Sequence, residues 1–280
     1  MLASKRRYKA LFGVAAVLLI TNGRVAAAPQ RIMSLKLCTD ELLMDLAPPA
    51  RIVSISYLSR EKAALKIWPQ AAQIPVNHNT PEEVLAVRPD LVLTDEFTSP
   101  AMREVLAASG ARIVEVPAAE NFPQIRAVTR QVGAAIGADA KAEALIAHMD
   151  QILTQLAADP SRAIRVVGWG GGGFVPGRMG LFNTVLTAAG GVNIADGGYY
   201  DVESLIAARP DALLYGDDYI DTPSLRRDQN DHPLVLKLFA NRRIVYPAAL
   251  YGCGLPQSAD AAALLHAQLR NAMQQPGGVP

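Results

Sequence analysis

The spacing of hydrophobic residues switches back and forth between two periods along this chain. Short apolar runs bounded by Pro, Gly, Asn or Asp stand at residues 31–35, 51–56, 91–94, 112–116, 164–168, 212–215 and 243–246. Runs of this length predict buried strands. Between them, apolar residues recur every three or four positions, which predicts helices over 40–46, 80–87, 100–109, 122–136, 181–189, 202–208 and 259–273. The longest helical pattern covers 139–157, where Ala142, Ile146, Met149, Leu153 and Leu156 keep one stripe apolar. Pro48 and Pro160 stop the helices before them. Strands alternating with helices of this size predict parallel βα units.

One segment occurs twice. The residues from Thr80 to Leu93 (TPEEVLAVRPDLVL) return 121 positions later from Asp201 to Leu214 (DVESLIAARPDALL). Thr80 and Asp201 are N-cap residues, Pro81 suits the first helical position, and Thr80 with Glu83 fits a capping box. Arg-Pro-Asp then ends each helix and turns into a buried strand. The repeat predicts an α/β protein of two similar lobes, with mainly parallel sheets, joined by one long interlobe helix. The expected boundaries are an N-terminal lobe over 28–137, the joining helix over 138–159, a C-terminal lobe over 160–273 and a loose tail over 274–280. Two such lobes leave a cleft, and ligands favour interdomain clefts and the carboxyl ends of parallel strands.

Residues 1–27 stand outside this pattern. Lys5, Arg6, Arg7 and Lys9 precede an apolar run over 10–20, and small residues follow at 25–27. That is the layout of a cleaved secretory leader, too short to span a bilayer. Its removal takes five of the 27 basic residues and none of the 26 acidic ones, leaving a net charge of −4. Such a surface offers no electrostatic reason to bind nucleic acid. The remaining chain is expected to be periplasmic and monomeric.

The stretches RIMSLKLCTDELL from Arg31, RIVSISY from Arg51 and EEVLAVRPDLVL from Glu82 resemble periplasmic binding proteins of ABC importers for cobalamin and ferric siderophores. The resemblance implies a non-enzymatic binder of a small-molecule metal chelate, with no cofactor of its own. Its partners would be a permease dimer and the ATPase of that importer. Glu82 and Glu203, at the second position of equivalent helices, would dock on the permease. Each also suits the positive end of its helix dipole. Tyr57, Trp169 and Tyr199 or Tyr200 match positions that line the ligand pocket. His78 and Asp95 stand where a cobalamin binder carries tryptophan, which suggests a more polar ligand.

Other residues join the candidate ligand set on their own chemistry. Phe174 and Tyr251 lie in loops beyond predicted strands. The glycine run Gly168-Trp-Gly-Gly-Gly-Gly173, including Gly171, lets a bulky ligand approach the backbone. It matches GxGxxG formally, but no helix opens inside it, as a dinucleotide site requires. Arg60 and Arg178 supply polar contacts alongside Asp95. The four histidines, His78, His148, His232 and His266, show no metal-ligand spacing on one helix.

Cys38 and Cys253 are the only cysteines. Three arrangements fit them: a disulfide across the lobes, two separate thiols, or a shared soft-metal or ligand contact. The rival functional readings are a secreted enzyme in the same cleft, for which no nucleophile elbow is present, and a binder of bare metal ion or haem.

Overall fold

The structure is a computed structural model and describes residues 27–159, 163–216, 228–247 and 249–274. The expected leader, except Ala27, and the expected tail from 275 onward lie outside these residues.

The first lobe is built in the order β1 (Ile32–Ser34), α1 (Leu37–Leu46), β2 (Ile52–Ser56), α2 (Lys62–Ile67), β3 (Val76–Asn77), α3 (Pro81–Val87), β4 (Leu91–Thr94), α4 (Pro100–Ala108) and β5 (Arg112–Glu115). Its strands form one parallel sheet in the order β3-β2-β1-β4-β5. Two helices follow, α5 (Phe122–Ile136) and α6 (Asp139–Ala158). At 20 residues, α6 is a strut about 30 Å long.

The second lobe runs β6 (Ile164–Gly168), β7 (Phe174–Val175), α7 (Gly180–Ala188), β8 (Gly191–Asn193), β9 (Gly198–Tyr199), α8 (Val202–Ala208), β10 (Ala212–Gly216), α9 (Pro233–Leu238), β11 (Arg243–Tyr246), α10 (Ala249–Gly252) and α11 (Ser258–Gln274). Its parallel sheet has the order β11-β10-β6-β8. That is the connectivity of β5-β4-β1-β2 over again, so the two halves share a topology as well as a sequence segment. The short strands β7 and β9 pair antiparallel as a separate ribbon.

The repeated Arg-Pro-Asp has a physical role in each lobe. The Thr80 hydroxyl and Glu83 carboxylate close the expected capping box on α3, and Asp201 accepts from the Ser204 amide at 2.7 Å on α8. Arg88 and Arg209 end these helices in the left-handed conformation, at φ 49° and 50°. The carboxylates of Asp90 and Asp211 then accept the backbone amides of Arg31 (3.0 Å) and Arg165 (2.8 Å), where β1 and β6 begin. The guanidinium groups of Arg31 and Arg165 reach back to carbonyls at the ends of α3 and α8. Cations favour helix C-termini, so each lobe ties one helix to one strand through the same triad.

Alternation along the strands divides the core. Ile32 and Val166 belong to a cluster that runs unbroken through α5, α6 and α11 and joins both lobes. Their neighbours Met33 and Val167 face separate cores on the outer sides of the two sheets. The strut packs on α5 at one side and α11 at the other. His148 of α6 lies 3.2 Å from Asp260 of α11.

Most expected elements match their observed bounds to within a residue or two. Helix α1 starts at Leu37, ahead of the expected 40, with Cys38 in its first turn. The strands β3, β7, β8 and β9 have two or three residues each, too few to display a period.

Candidate functional site

The carboxyl ends of β1, β4 and β5 open into a cavity of about 430 Å³. Lys36 and Leu37 follow β1, Asp95 to Phe97 follow β4, and Val116 to Glu120 follow β5; together they form one wall. The opposite wall is Leu181 with Gly252 to Leu255, from the second lobe. The size falls in the range of small-molecule sites, and the position is the one expected of open α/β sheets. Sequence reasoning had pointed to the strand ends. It did not single out Lys36 or the 116–120 segment, which carries no aromatic side chain, and within 252–255 it named only Cys253.

Within this cavity Lys36 Nζ stands 3.2 Å from Asp95 Oδ1, both side chains about a quarter exposed. Asp95 also accepts from the Phe97 amide at 3.1 Å, which holds the loop after β4. The Phe97 ring is left exposed at the lip. Cys38 and Cys253, one from each wall, form a disulfide with their Cα atoms 5.2 Å apart.

Outside the residues that line this cavity, each lobe presents an aromatic pair. Tyr57, directly after β2, stacks on His78, directly after β3, with ring centroids 5.2 Å apart and planes 19° from parallel. On the second lobe Phe174 and Tyr199 meet edge to face at 5.8 Å across the β7–β9 ribbon. Tyr57, Phe174 and Tyr199 are large apolar side chains left exposed. His78 Nδ1 lies 3.1 Å from Glu83 Oε1. Burial works upward on Glu83, but hydrogen bonds from His78 and Thr80 outweigh it and hold the carboxyl at about 2. An ionised Glu83 can only accept at this contact, so His78 Nδ1 is the donor.

Of the expected ligand residues, only Asp95 is among those that line the cavity. Trp169 is only 1% exposed. Its amide donates to the Leu214 carbonyl at 2.8 Å, so it continues the β6 ladder, and its side chain falls on the same face as Val167, in the outer core. Tyr251 packs at 4.3 Å on Tyr246 and also against Phe182. Burial drives its phenol well above the ordinary range. Arg60 donates to the Ile74 carbonyl at 2.8 Å and braces a loop. Gly171 is buried in a tight turn, Gly171–Gly173. A Cβ on Gly173, at φ 78°, would meet the Tyr200 carbonyl oxygen at 2.1 Å. The glycines therefore serve close packing of the loop on the Tyr200 segment. Tyr200 itself is half-buried against the outer core, and Arg178 pairs with Asp196 at 2.9 Å.

Under the cavity, α1 carries three carboxyl groups that sequence reasoning passed over. Asp40 is fully buried and accepts from the Ser56 amide (2.9 Å) and the Ser59 hydroxyl (2.7 Å). Burial still raises its pKa well above the usual value. Glu41, 1% exposed, is pushed up to about 8 by burial first and by Asp40 and Asp45 next. Asp45 is raised by burial, although it accepts from Trp68 Nε1 at 2.9 Å and from Gln257 of the second lobe.

Glu82 and Glu203 are exposed on the first turns of α3 and α8, one on each lobe. Among the described residues no group of three or more His, Cys, Asp or Glu is placed to hold a metal ion. No described helix is long and apolar enough to cross a membrane.

A family model described as periplasmic binding protein matches residues 32–201. No curated protein matches the chain. Among solved structures, a periplasmic heme binding protein from Pseudomonas aeruginosa is 25% identical with a TM-score of 0.70, over 90% of this chain and 96% of that one. The periplasmic heme binding protein HutB of Vibrio cholerae is 18% identical with a TM-score of 0.71, over 86% and 98%. The periplasmic vitamin B12 binding protein BtuF of Vibrio cholerae is 18% identical with a TM-score of 0.65, over 89% and 99%. The last two share the fold.

Proposed function

The chain belongs to the periplasmic binding protein family, and on that premise we propose that it is the solute-binding subunit of an ABC importer, taking a macrocyclic metal chelate between its lobes. The observation that carries this reading is the pair of exposed aromatic edges, Tyr57–His78 on one lobe and Phe174–Tyr199 on the other. A haem or corrinoid ring has wide apolar faces, and aromatic side chains match such faces at little conformational cost. A ferric siderophore, with its polar chelating arms, makes less use of them.

His78 gives the site a donor for the chelated metal. Metal-binding imidazoles commonly hold their second nitrogen on a carboxylate, which orients the ring and raises its basicity. Glu83 stands in that relation to Nδ1. Nε2 or the neighbouring Tyr57 hydroxyl then meets the metal of the incoming chelate. The protein performs no bond-making on its cargo; it holds the ring, and the exposed Glu82 and Glu203 engage the permease.

Native mass spectrometry of the protein purified from its own periplasm tests this. A bound macrocycle mass, with a thermal shift on adding haemin or cobinamide, is expected. The absence of any chelate mass, together with no shift from haemin, cobinamide or a ferric catecholate, would sink the proposal.

A further inference from the structure

The Cys38–Cys253 bridge ties the first turn of α1 to the segment between α10 and α11, residues 215 apart in sequence. It is also part of the cavity wall. With the Cα atoms held 5.2 Å apart, the two walls do not separate at this point while the bond stands. We propose that this disulfide is a redox latch on the cleft: exchange with an exported dithiol releases it, lets the walls part and weakens capture of the chelate. The proposal rests on the function given above.

Accessibility gives the exchange a direction. Cys38 is exposed and Cys253 is 2% exposed. A thiolate of the dithiol attacks Cys38 Sγ and forms a mixed disulfide, and Cys253 leaves as thiolate. The second thiol of the dithiol then attacks the sulfur of the first, closing the reductant's own disulfide and releasing Cys38 as thiolate. The dithiol is oxidised by two electrons, the protein disulfide is reduced by two, and the two protons pass to the cysteines.

The bond is not the sole tie between the lobes. The continuous cluster through α5, α6 and α11 holds the lobes together on the strut side. On the cavity side the remaining polar ties include the Asp45–Gln257 hydrogen bond and one at 2.8 Å from the Thr184 hydroxyl to the Glu120 carbonyl. The apolar cluster also reaches both cavity walls, through Ala119 and Leu255 among others, so on this proposal the bond limits how far the walls part and is not what holds the lobes together.

The test compares the exported protein as oxidised, as reduced by dithiothreitol, and as the Cys38→Ser/Cys253→Ser variant. Circular dichroism, small-angle X-ray scattering and haemin titration are read on each. Reduced and variant proteins are expected to keep their far-UV spectrum and gain radius of gyration. They should bind haemin roughly threefold or more weakly, as a fall in the binding-competent fraction to about a third requires. Identical scattering and identical haemin affinity in the two redox states would overturn the latch. So would loss of the far-UV spectrum on reduction, which would make the bridge a structural staple. If haemin binds neither state, the functional reading fails, and the scattering comparison alone decides the latch.

Discussion

Gly254 lies so close to Ala119 that a Cβ on the glycine would meet the Ala119 carbonyl oxygen at 2.0 Å. The contact joins the second lobe to the first at the wall of the cavity. The obstruction is backbone, so no rotamer change relieves it. Gly254→Ala is expected to cost about 1–3 kcal/mol as overpacking and to weaken chelate binding by displacing one wall. Urea unfolding and a haemin titration on the same variant check both effects. An unchanged midpoint and affinity would contradict the closeness of the contact.

Glu41 makes stability depend on pH in a stated direction. Its carboxyl sits at about 8 in the folded chain against an ordinary value of 4.5, so folding takes up a proton that the unfolded chain has already lost. The native state is therefore least penalised below about 4.5, and stability declines as pH rises from there toward 8. Asp40, also raised, acts in the same direction. Glu41→Gln should match the wild type near pH 4.5 and exceed it at pH 8 by up to about 4 kcal/mol. Thermal melts of both proteins across this range check it, and parallel curves would refute it.

The exposed glutamates separate binding from delivery. The double substitution Glu82→Ala with Glu203→Ala removes only favourable dipole interactions from the fold, about 0.3–1 kcal/mol each. Chelate affinity is expected to stay intact while uptake by the whole importer is lost. Transport at the wild-type rate in that variant would dismiss the docking role.

The aromatic residues divide into two classes with opposite signatures. Tyr199→Ala and Phe174→Ala should each lower haemin affinity by roughly fivefold, the worth of one aromatic contact of about 1 kcal/mol, with little change in stability. Trp169→Ala should instead cost about 3–5 kcal/mol of stability, because it empties a core position. Isothermal titration and denaturant unfolding on the three variants distinguish them; a Trp169 effect confined to affinity would contradict its burial.

His78→Ala is expected to shift the visible absorption band of bound haemin, whereas Glu83→Gln should shift it less and weaken binding modestly, consistent with a carboxylate that orients the ring. Unaltered spectra in both variants would remove His78 from the metal.

Local periodicity was enough to announce the two lobes. The period-two and helical stretches lie within single elements, and Thr80, Asp201, Arg88 and Arg209 act on residues three or four positions away, so the sequence itself carries their meaning. The repeat even located Asp90 and Asp211, although their bonds to the amides of Arg31 and Arg165 became visible only once β1 lay beside β4 and β6 beside β10. The place of Asp95 at the cavity could be anticipated because it directly follows a strand, where parallel sheets place their ligands.

What the tertiary structure alone decided are relations between distant parts of the chain. Whether Trp169 faces ligand or core depends on one further rung of pairing with Leu214. Whether Cys38 meets Cys253 depends on how α1 docks against the segment before α11. Linear pattern records which face a side chain takes relative to its neighbours; it does not record what another lobe brings against that face. The two α/β halves were therefore written in the sequence, whereas the cavity and its covalent tie arise from the packing of one half on the other.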